Sequence, residues 1–268
     1  MAIAKLADGE LFYQMEGEGP ALLLLHAGVA DSRMWDPQFD DFSAHFRVAR
    51  CDLRGYGRSL LPDGPFAYHE DVRELVELLE LAPAWVVGAS FGAQVAVDVA
   101  LAYPDLVKGL ILVAPAVSGF QPAGAVKQFG EEEDALLAAG KVEEATELNL
   151  RMWVDGPHRD RDAVAPAVRK QVGDMQRLAF SHPEPEHVSL IRMDPPAIAR
   201  LAEIEWPVLI ISGGLDVSEF VQLGERLAEE IPGAKRIVIP DAAHMVTMEV
   251  PEEFTQLVLG FVASTEAR

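Results

Sequence analysis

Ala84-Trp85-Val86-Val87-Gly88-Ala89-Ser90-Phe91-Gly92-Ala93-Gln94-Val95-Ala96 is the stretch from which the fold can be read. It opens with a short apolar run rich in β-branched residues, the pattern of a strand buried on both faces. It continues with Ala93, Ala96, Val97 and Ala100, apolar positions at helical spacing. Between the two lies Gly88-x-Ser90-x-Gly92, which fits a sharp strand-to-helix turn. Such a turn strains the serine backbone and lifts its hydroxyl out of the sheet, and side chains at 88 and 92 would collide with neighbouring backbone. It also leaves Ser90 at a helix N-terminus, where free N–H groups and the helix dipole favour developing negative charge. Alone, the pattern is equally a glycine-rich turn with a bystander serine. A nucleophile needs a base and an acid from elsewhere in the chain.

Working outward, the 268 residues are half hydrophobic and can bury one sizeable core with an inserted subdomain. Residues 1–19 read as a hairpin turning at Asp8-Gly9. Ala21–Leu25 is a buried strand ending at His26-Ala27-Gly28, Trp35–His45 a helix, and Phe46–Cys51 a strand delivering Asp52-Leu53-Arg54-Gly55-Tyr56-Gly57-Arg58-Ser59. A helix over His69–Leu81 precedes the Ser90 unit, and Leu106–Val113 is the next strand. From about Gly119 to Ile204 no convincing strand appears, only helix-like segments such as Glu131–Ala139 and Val142–Trp153, with prolines punctuating the later part. The sheet resumes with Pro207–Ile211, followed by Gly213-Gly214-Leu215-Asp216, a helix over Val221–Glu230, the strand Lys235–Ile239, the loop Pro240-Asp241-Ala242-Ala243-His244 and a helix over Phe254–Val262. Alternating strands and helices predict a mainly parallel α/β sheet covered on both faces. The expected division is a core of 1–118 and 205–268, with 119–204 inserted as a helical cap.

Asp216 and His244 each follow an apolar strand, as Ser90 does. In a parallel sheet the C-terminal strand ends share one edge, so the three side chains can converge there. Their order, serine then aspartate then histidine, is that expected of an α/β hydrolase.

The chain resembles the α/β-hydrolase superfamily over essentially its whole length. The resemblance rests on His26-Ala27-Gly28, Asp52-x-Arg54-Gly55-x-Gly57-x-Ser59, Gly88-Ala89-Ser90-Phe91-Gly92, Gly214-x-Asp216 and Ala243-His244. The segment Arg33-Met34-Trp35-Asp36-Pro37-Gln38 is similar to the branch of oxoadipate enol-lactonases and small esterases. The resemblance implies an eight-stranded sheet and a catalytic triad in which His244 takes the proton of Ser90 while Asp216 fixes the imidazole tautomer. It implies an oxyanion hole from the N–H of Phe91 and one at Gly28 or Val29, with Gly28 preferred. The common pattern has glycine after the loop histidine, where this chain has Ala27, and that departure leaves the second donor open. His26 reads as a loop brace, as do Asp52, Arg54 and Asp241.

Met34, Trp35, Phe91, Phe120, Met152, Trp153 and Met245 are candidates for an apolar pocket wall. Trp35, Trp153 and Met245 are assigned to the substrate pocket, with Trp153 rather than its neighbour Met152 facing inward, since adjacent helical residues diverge. His158, His182 and His187 lack metal-ligand spacing, and Gly55-Tyr56-Gly57 lacks a dinucleotide fingerprint, so neither metal nor cofactor is expected.

A serine at the elbow argues against the dehalogenase and epoxide-hydrolase branches, which carry a carboxylate there. Ala89 and Met245 argue against carbon–carbon bond hydrolases, which typically have asparagine and tryptophan at those places. An enol-lactone dicarboxylate needs a cation, for which Arg151 is the candidate. Hydrolysis of small neutral carboxylic esters is the first expectation and lactone hydrolysis the second. A slow-turnover ligand receptor of the same fold is the third. The formal charge of −21 disfavours nucleic acid and anionic membranes as partners and weakly disfavours anionic substrates. The single Cys51 excludes an internal disulfide. With no apolar run of spanning length and no leader pattern near Met1, the expected location is the cytoplasm. A homodimer stays open.

Overall fold

The computed structural model describes residues Met1–Ala267. Strand β1 (Ala2–Leu6) turns back into β2 (Gly9–Glu16) as the expected hairpin, which pairs through β2 with β4. Strands β3 (Ala21–Leu25), β4 (Arg47–Cys51), β6 (Ala84–Ala89), β7 (Val107–Val113), β9 (Val208–Gly213) and β10 (Lys235–Ile239) run parallel. Across the eight-stranded sheet the order is β1-β2-β4-β3-β6-β7-β9-β10, so the Ser90 strand β6 is central.

Burial on both faces explains the uninterrupted apolar strands. All five residues of β3 are buried, and they alternate between two cores: Leu22 and Leu24 face one, Leu23 and Leu25 the other. The first core is closed by α1 (Asp36–Ser43) and α9 (Pro251–Glu266), through Phe39, Phe42, Phe254 and Val258. The second is closed by α2 (Tyr68–Leu78), α3 (Phe91–Ala102) and α7 (Ser218–Glu230), through Val72, Leu75, Val95, Val99, Leu223 and Leu227. Helix α8 (Val246–Glu249) is a single turn after His244.

Between β7 and β9 the chain leaves the sheet for α4 (Gly124–Ala138), α5 (Val142–Asn149), a π-helical turn over Leu150–Asp155 and α6 (Pro166–Phe180). Two differences from the sequence reading stand out. A two-residue strand β8 (Ser189–Leu190) occurs in a stretch expected to hold none, and it pairs with β5 (Pro65–Phe66) in a small separate sheet. Two residues carry no periodicity, and their hydrogen bonds go to a partner more than a hundred residues away. The helix read as Val142–Trp153 also changes character at Leu150, where it widens into the π-turn.

The loop after β4 is fastened by Asp52. Its Oδ1 accepts from Ser32 N at 2.8 Å and its Oδ2 from Arg58 N at 2.8 Å. It thereby ties the β4 loop to the β3 loop that carries Gly28. Arg54, 1% exposed, is held by both oxygens of Asp71 at 2.7 Å and by Asp8. His26 accepts from Leu53 N through Nε2 at 2.9 Å, which places its proton on Nδ1 facing the Ala27 carbonyl. Burial depresses its pKa in keeping with that neutral state. All three residues are braces, and the exposed Asp241 side chain makes no hydrogen bond among the described residues.

Gly57 is required by this arrangement: it sits at φ +54°, and a Cβ there would lie 2.1 Å from Asp52 Oδ2. Gly57→Ala is expected to cost at least about 1–3 kcal/mol through backbone strain alone. Gly130, inside α4 with open space around it, should gain about 0.5–1 kcal/mol as alanine, the usual helix-interior difference. Urea unfolding of the two variants should move their midpoints in opposite directions. A Gly57→Ala protein as stable as wild type would contradict the brace.

Candidate active site

Ser90 stands where β6 passes into α3, at φ 51° and ψ −111°, a conformation that only its surroundings can hold. Ser90 N donates to Val113 O at 2.8 Å, and the Ser90 carbonyl accepts from Ala93 N, Gln94 N and Ala116 N at 3.0, 3.2 and 3.1 Å. The flanking glycines are there for space. A Cβ at Gly88 would meet Gly92 O at 2.4 Å, and one at Gly92 would meet Leu25 O at 2.3 Å and His26 O at 2.6 Å. The turn is thus wedged against the end of β3.

The loops after β9 and β10 are stitched together by Gly214 N to Ile239 O at 2.8 Å and Leu215 N to Ala242 O at 2.9 Å. They hold His244 Nδ1 2.8 Å from Asp216 Oδ2, while Asp216 Oδ1 accepts from Val217 N at 2.7 Å. The two residues are 5% and 3% exposed. A carboxylate bonded this way fixes Nδ1 as the protonated ring nitrogen and leaves Nε2 as the basic one. The imidazole packs against the rings of Trp153, at 4.7 Å, and Phe220, at 4.9 Å, which also touch each other.

Ser90 and His244 line one cavity of about 400 Å³, together with Gly28, Val29, Phe91 and Trp153. Among the described residues, no acceptor meets the backbone N–H of Phe91, Gly28 or Val29. Phe91 N opens α3, so the helix dipole points its positive end at this place. The ring of Phe91 packs against Tyr56 and Tyr68 on the cavity wall.

Two residues assigned to the pocket lie elsewhere. Trp35 is fully buried in the core closed by α9, its ring 6.1 Å from that of Phe254. Met245, 1% exposed, is buried in the same apolar cluster and is not among the residues lining the cavity that its neighbour His244 lines. In both cases an apolar residue beside a motif satisfies the sheet rather than the site. Of the neighbours in the π-turn, Trp153 lines the Ser90 cavity, whereas Met152 and Arg151 line a separate one. Arg151 is therefore not placed to meet a carboxylate near Ser90.

Other lining residues were not singled out from sequence. Phe220 is the third residue of α7, just after the Asp216 loop. Tyr56, Phe129, Glu133, Asn149 and Gln176 also line the cavity, the last four from the inserted helices and their flanks. Glu249 accepts from Ala243 N at 3.0 Å and pairs with Arg159 at 2.6 Å, so the inserted segment also braces the His244 loop. Nothing in the local sequence pairs residues ninety positions apart.

Comparison with known proteins agrees with this geometry. Residues 20–251 match the family model described as alpha/beta hydrolase fold. The chain is 27% identical to a pimeloyl-[acyl-carrier protein] methyl ester esterase of Vibrio vulnificus over 265 residues, covering 94% of this chain and 98% of that protein. It is 25% identical to the (E)-2-((N-methylformamido)methylene)succinate hydrolase of Acinetobacter baylyi, covering 94% of each. Among solved structures, the enol-lactonase of Burkholderia xenovorans LB400 superposes with a TM-score of 0.80 at 25% identity, covering 98% of this chain and all of that one. With its central strand-to-helix serine and a matching family model over most of its length, the chain belongs to the α/β-hydrolase family and is an esterase-like enzyme.

Proposed function

We propose that this enzyme hydrolyses small carboxylic esters through an acyl-enzyme on Ser90. The observation that carries the reading is the Asp216–His244 hydrogen bond at the mouth of the cavity that also receives Ser90. Nε2 of His244 takes the Ser90 proton as Oγ adds to the ester carbonyl. Asp216 holds Nδ1–H and stabilises the imidazolium that results. The tetrahedral oxyanion is received by Phe91 N–H and by a donor of the β3 loop, Gly28 or Val29, groups without another partner among the described residues. His244 then protonates the departing alkoxide as the C–O bond breaks. Water, activated by the same imidazole, releases the acid and restores the serine.

In this reading residues 119–204 form a lid over a core of 1–118 and 205–268. Three observations support it: Trp153 packs on His244, His182 Nδ1 lies 3.1 Å from Gly55 O, and Arg159 pairs with Glu249. Lactones are the second substrate class, favoured by the likeness to the Burkholderia enol-lactonase, and they pass through the same acyl-enzyme.

Ser90→Ala is expected to fold and to lose roughly six orders of magnitude in kcat on a p-nitrophenyl ester, the scale of removing a triad nucleophile. A fluorophosphonate probe should label wild type and not this variant. Retention of more than a few per cent of the rate would exclude Ser90 as nucleophile. Asp216→Asn should lose about 10⁴ in kcat, since the histidine is then held in the wrong tautomer. Asp241→Asn, altering an exposed side chain, should lose little. If kcat measurements rank the two the other way, Asp241 is the acid.

A further inference from the structure

The lid contributes aromatic residues to the cavity, and it also contributes three polar side chains, one from each of its helices. Glu133 comes from α4, Asn149 from the end of α5 and Gln176 from α6. Asn149 and Gln176 are only 2% and 4% exposed. An apolar acyl chain gives no reason to place such groups under a lid, because buried polar atoms left unpaired destabilise the fold.

Their hydrogen bonds have a direction. The Asn149 amide nitrogen donates to Glu133 Oε1 and, at 3.0 Å, to Ala145 O, so both of its N–H groups are engaged. That fixes the orientation of the amide. Glu133 Oε2 and Asn149 Oδ1 remain without a partner among the described residues, whereas Gln176 Oε1, also without one, is closed off from the cavity. Two acceptors are therefore left over on this wall of the cavity. Burial pushes the Glu133 carboxyl above its usual range while the Asn149 bond opposes that shift, as for a group that gains from a further donor.

Cations to balance an anionic ligand are not in place. Arg54 is the one lysine or arginine of the lining, and its guanidinium is saturated by Asp71 and Asp8. Arg151, the cation expected from sequence, opens into the other cavity. A ligand carboxylate here would face Glu133 with no countercharge, a like-charge contact that strongly disfavours binding.

We infer that Glu133 and Asn149 form a specificity site for an ester whose end remote from the scissile carbonyl carries a hydrogen-bond donor (hydroxyl, amide N–H or ammonium) and not a carboxylate. The site rests on the ester-hydrolase reading and names its substrate class. It separates this chain from the Acinetobacter relative, whose named substrate is a succinate.

Four methyl esters of one length test it: methyl hexanoate, methyl 6-hydroxyhexanoate, methyl 6-aminohexanoate and monomethyl adipate. Ratios of kcat/KM within one preparation cancel any loss of folded enzyme. In wild type the hydroxy and amino esters should exceed monomethyl adipate by roughly 10- to 100-fold, the size of a hydrogen bond to a charged group. Glu133→Gln, which retains an acceptor for Asn149, should lower the amino-to-adipate ratio about tenfold or more. Turnover of methyl hexanoate with monomethyl adipate equal to or better than the donor esters overturns this site alone, as does a ratio unmoved by Glu133→Gln. Turnover of none of the four overturns the site together with the ester-hydrolase reading.

Discussion

The backbone of Ser90 is the constraint on which the rest of the site depends. A serine at φ 51° and ψ −111° is not a resting state of a free chain, and departures of this kind cost about 1–3 kcal/mol each. The cost is met by three bonds into its carbonyl, one from its amide, and the contact of Gly92 with the carbonyls that end β3. Because the wedge joins β3, β6 and α3, it brings the Gly28 loop up to the first turn of α3. A Cβ at Gly28 would lie 3.5 Å from that of Phe91, so the two backbone segments proposed to receive the oxyanion are neighbours. The same strain holds the hydroxyl above the sheet edge, where the loops after β9 and β10 arrive with Asp216 and His244.

Around that fixed point the molecule divides its labour. The sheet and its two apolar cores are rigid and saturated: Arg54 with its two aspartates, Asp52 with two amides, His26 held neutral between Leu53 and Ala27. The inserted helices carry the leftover hydrogen-bonding capacity. Phe129, Trp153 and Phe220 form a chain of mostly edge-on aromatic contacts from α4 across to α7 and onto the His244 imidazole. The free acceptors of Glu133 and Asn149 line the same cavity. In the proposed reading, chemistry belongs to the sheet edge and choice of substrate to the inserted helices.

This division also decides what could be read from the sequence. Strands buried on both faces leave continuous apolar runs, so β3, β6, β7 and β9 were legible, and with them the loops at their ends. Gly88 and Gly92 were legible because a turn with no room for a Cβ leaves a local mark. The cavity wall was not. Trp35 and Met245 adjoin motifs and are aromatic or thioether, yet they fill the core under α9, since adjacency along the chain says nothing about which side of the sheet a residue faces. Glu133 sits in the run Glu131-Glu132-Glu133-Asp134, where the local sequence does not single out the one that lines the cavity, and its partner Asn149 comes from another helix. The pairing of β5 with β8 and the Arg159–Glu249 brace join residues far apart in sequence, for which no local pattern exists.

The central claim is that the strained turn, aided by the paired imidazole, makes Ser90 the atom that bonds to substrate. Rapid-quench mass spectrometry of the enzyme mixed with p-nitrophenyl butyrate tests it most directly. The account predicts a transient protein heavier by one butyryl group, with the added mass confined to the peptide containing Ser90 and disappearing as the ester is exhausted. A butyryl group found on another side chain, or steady turnover with no adduct at any quench time while nitrophenol is released in a burst, would contradict it.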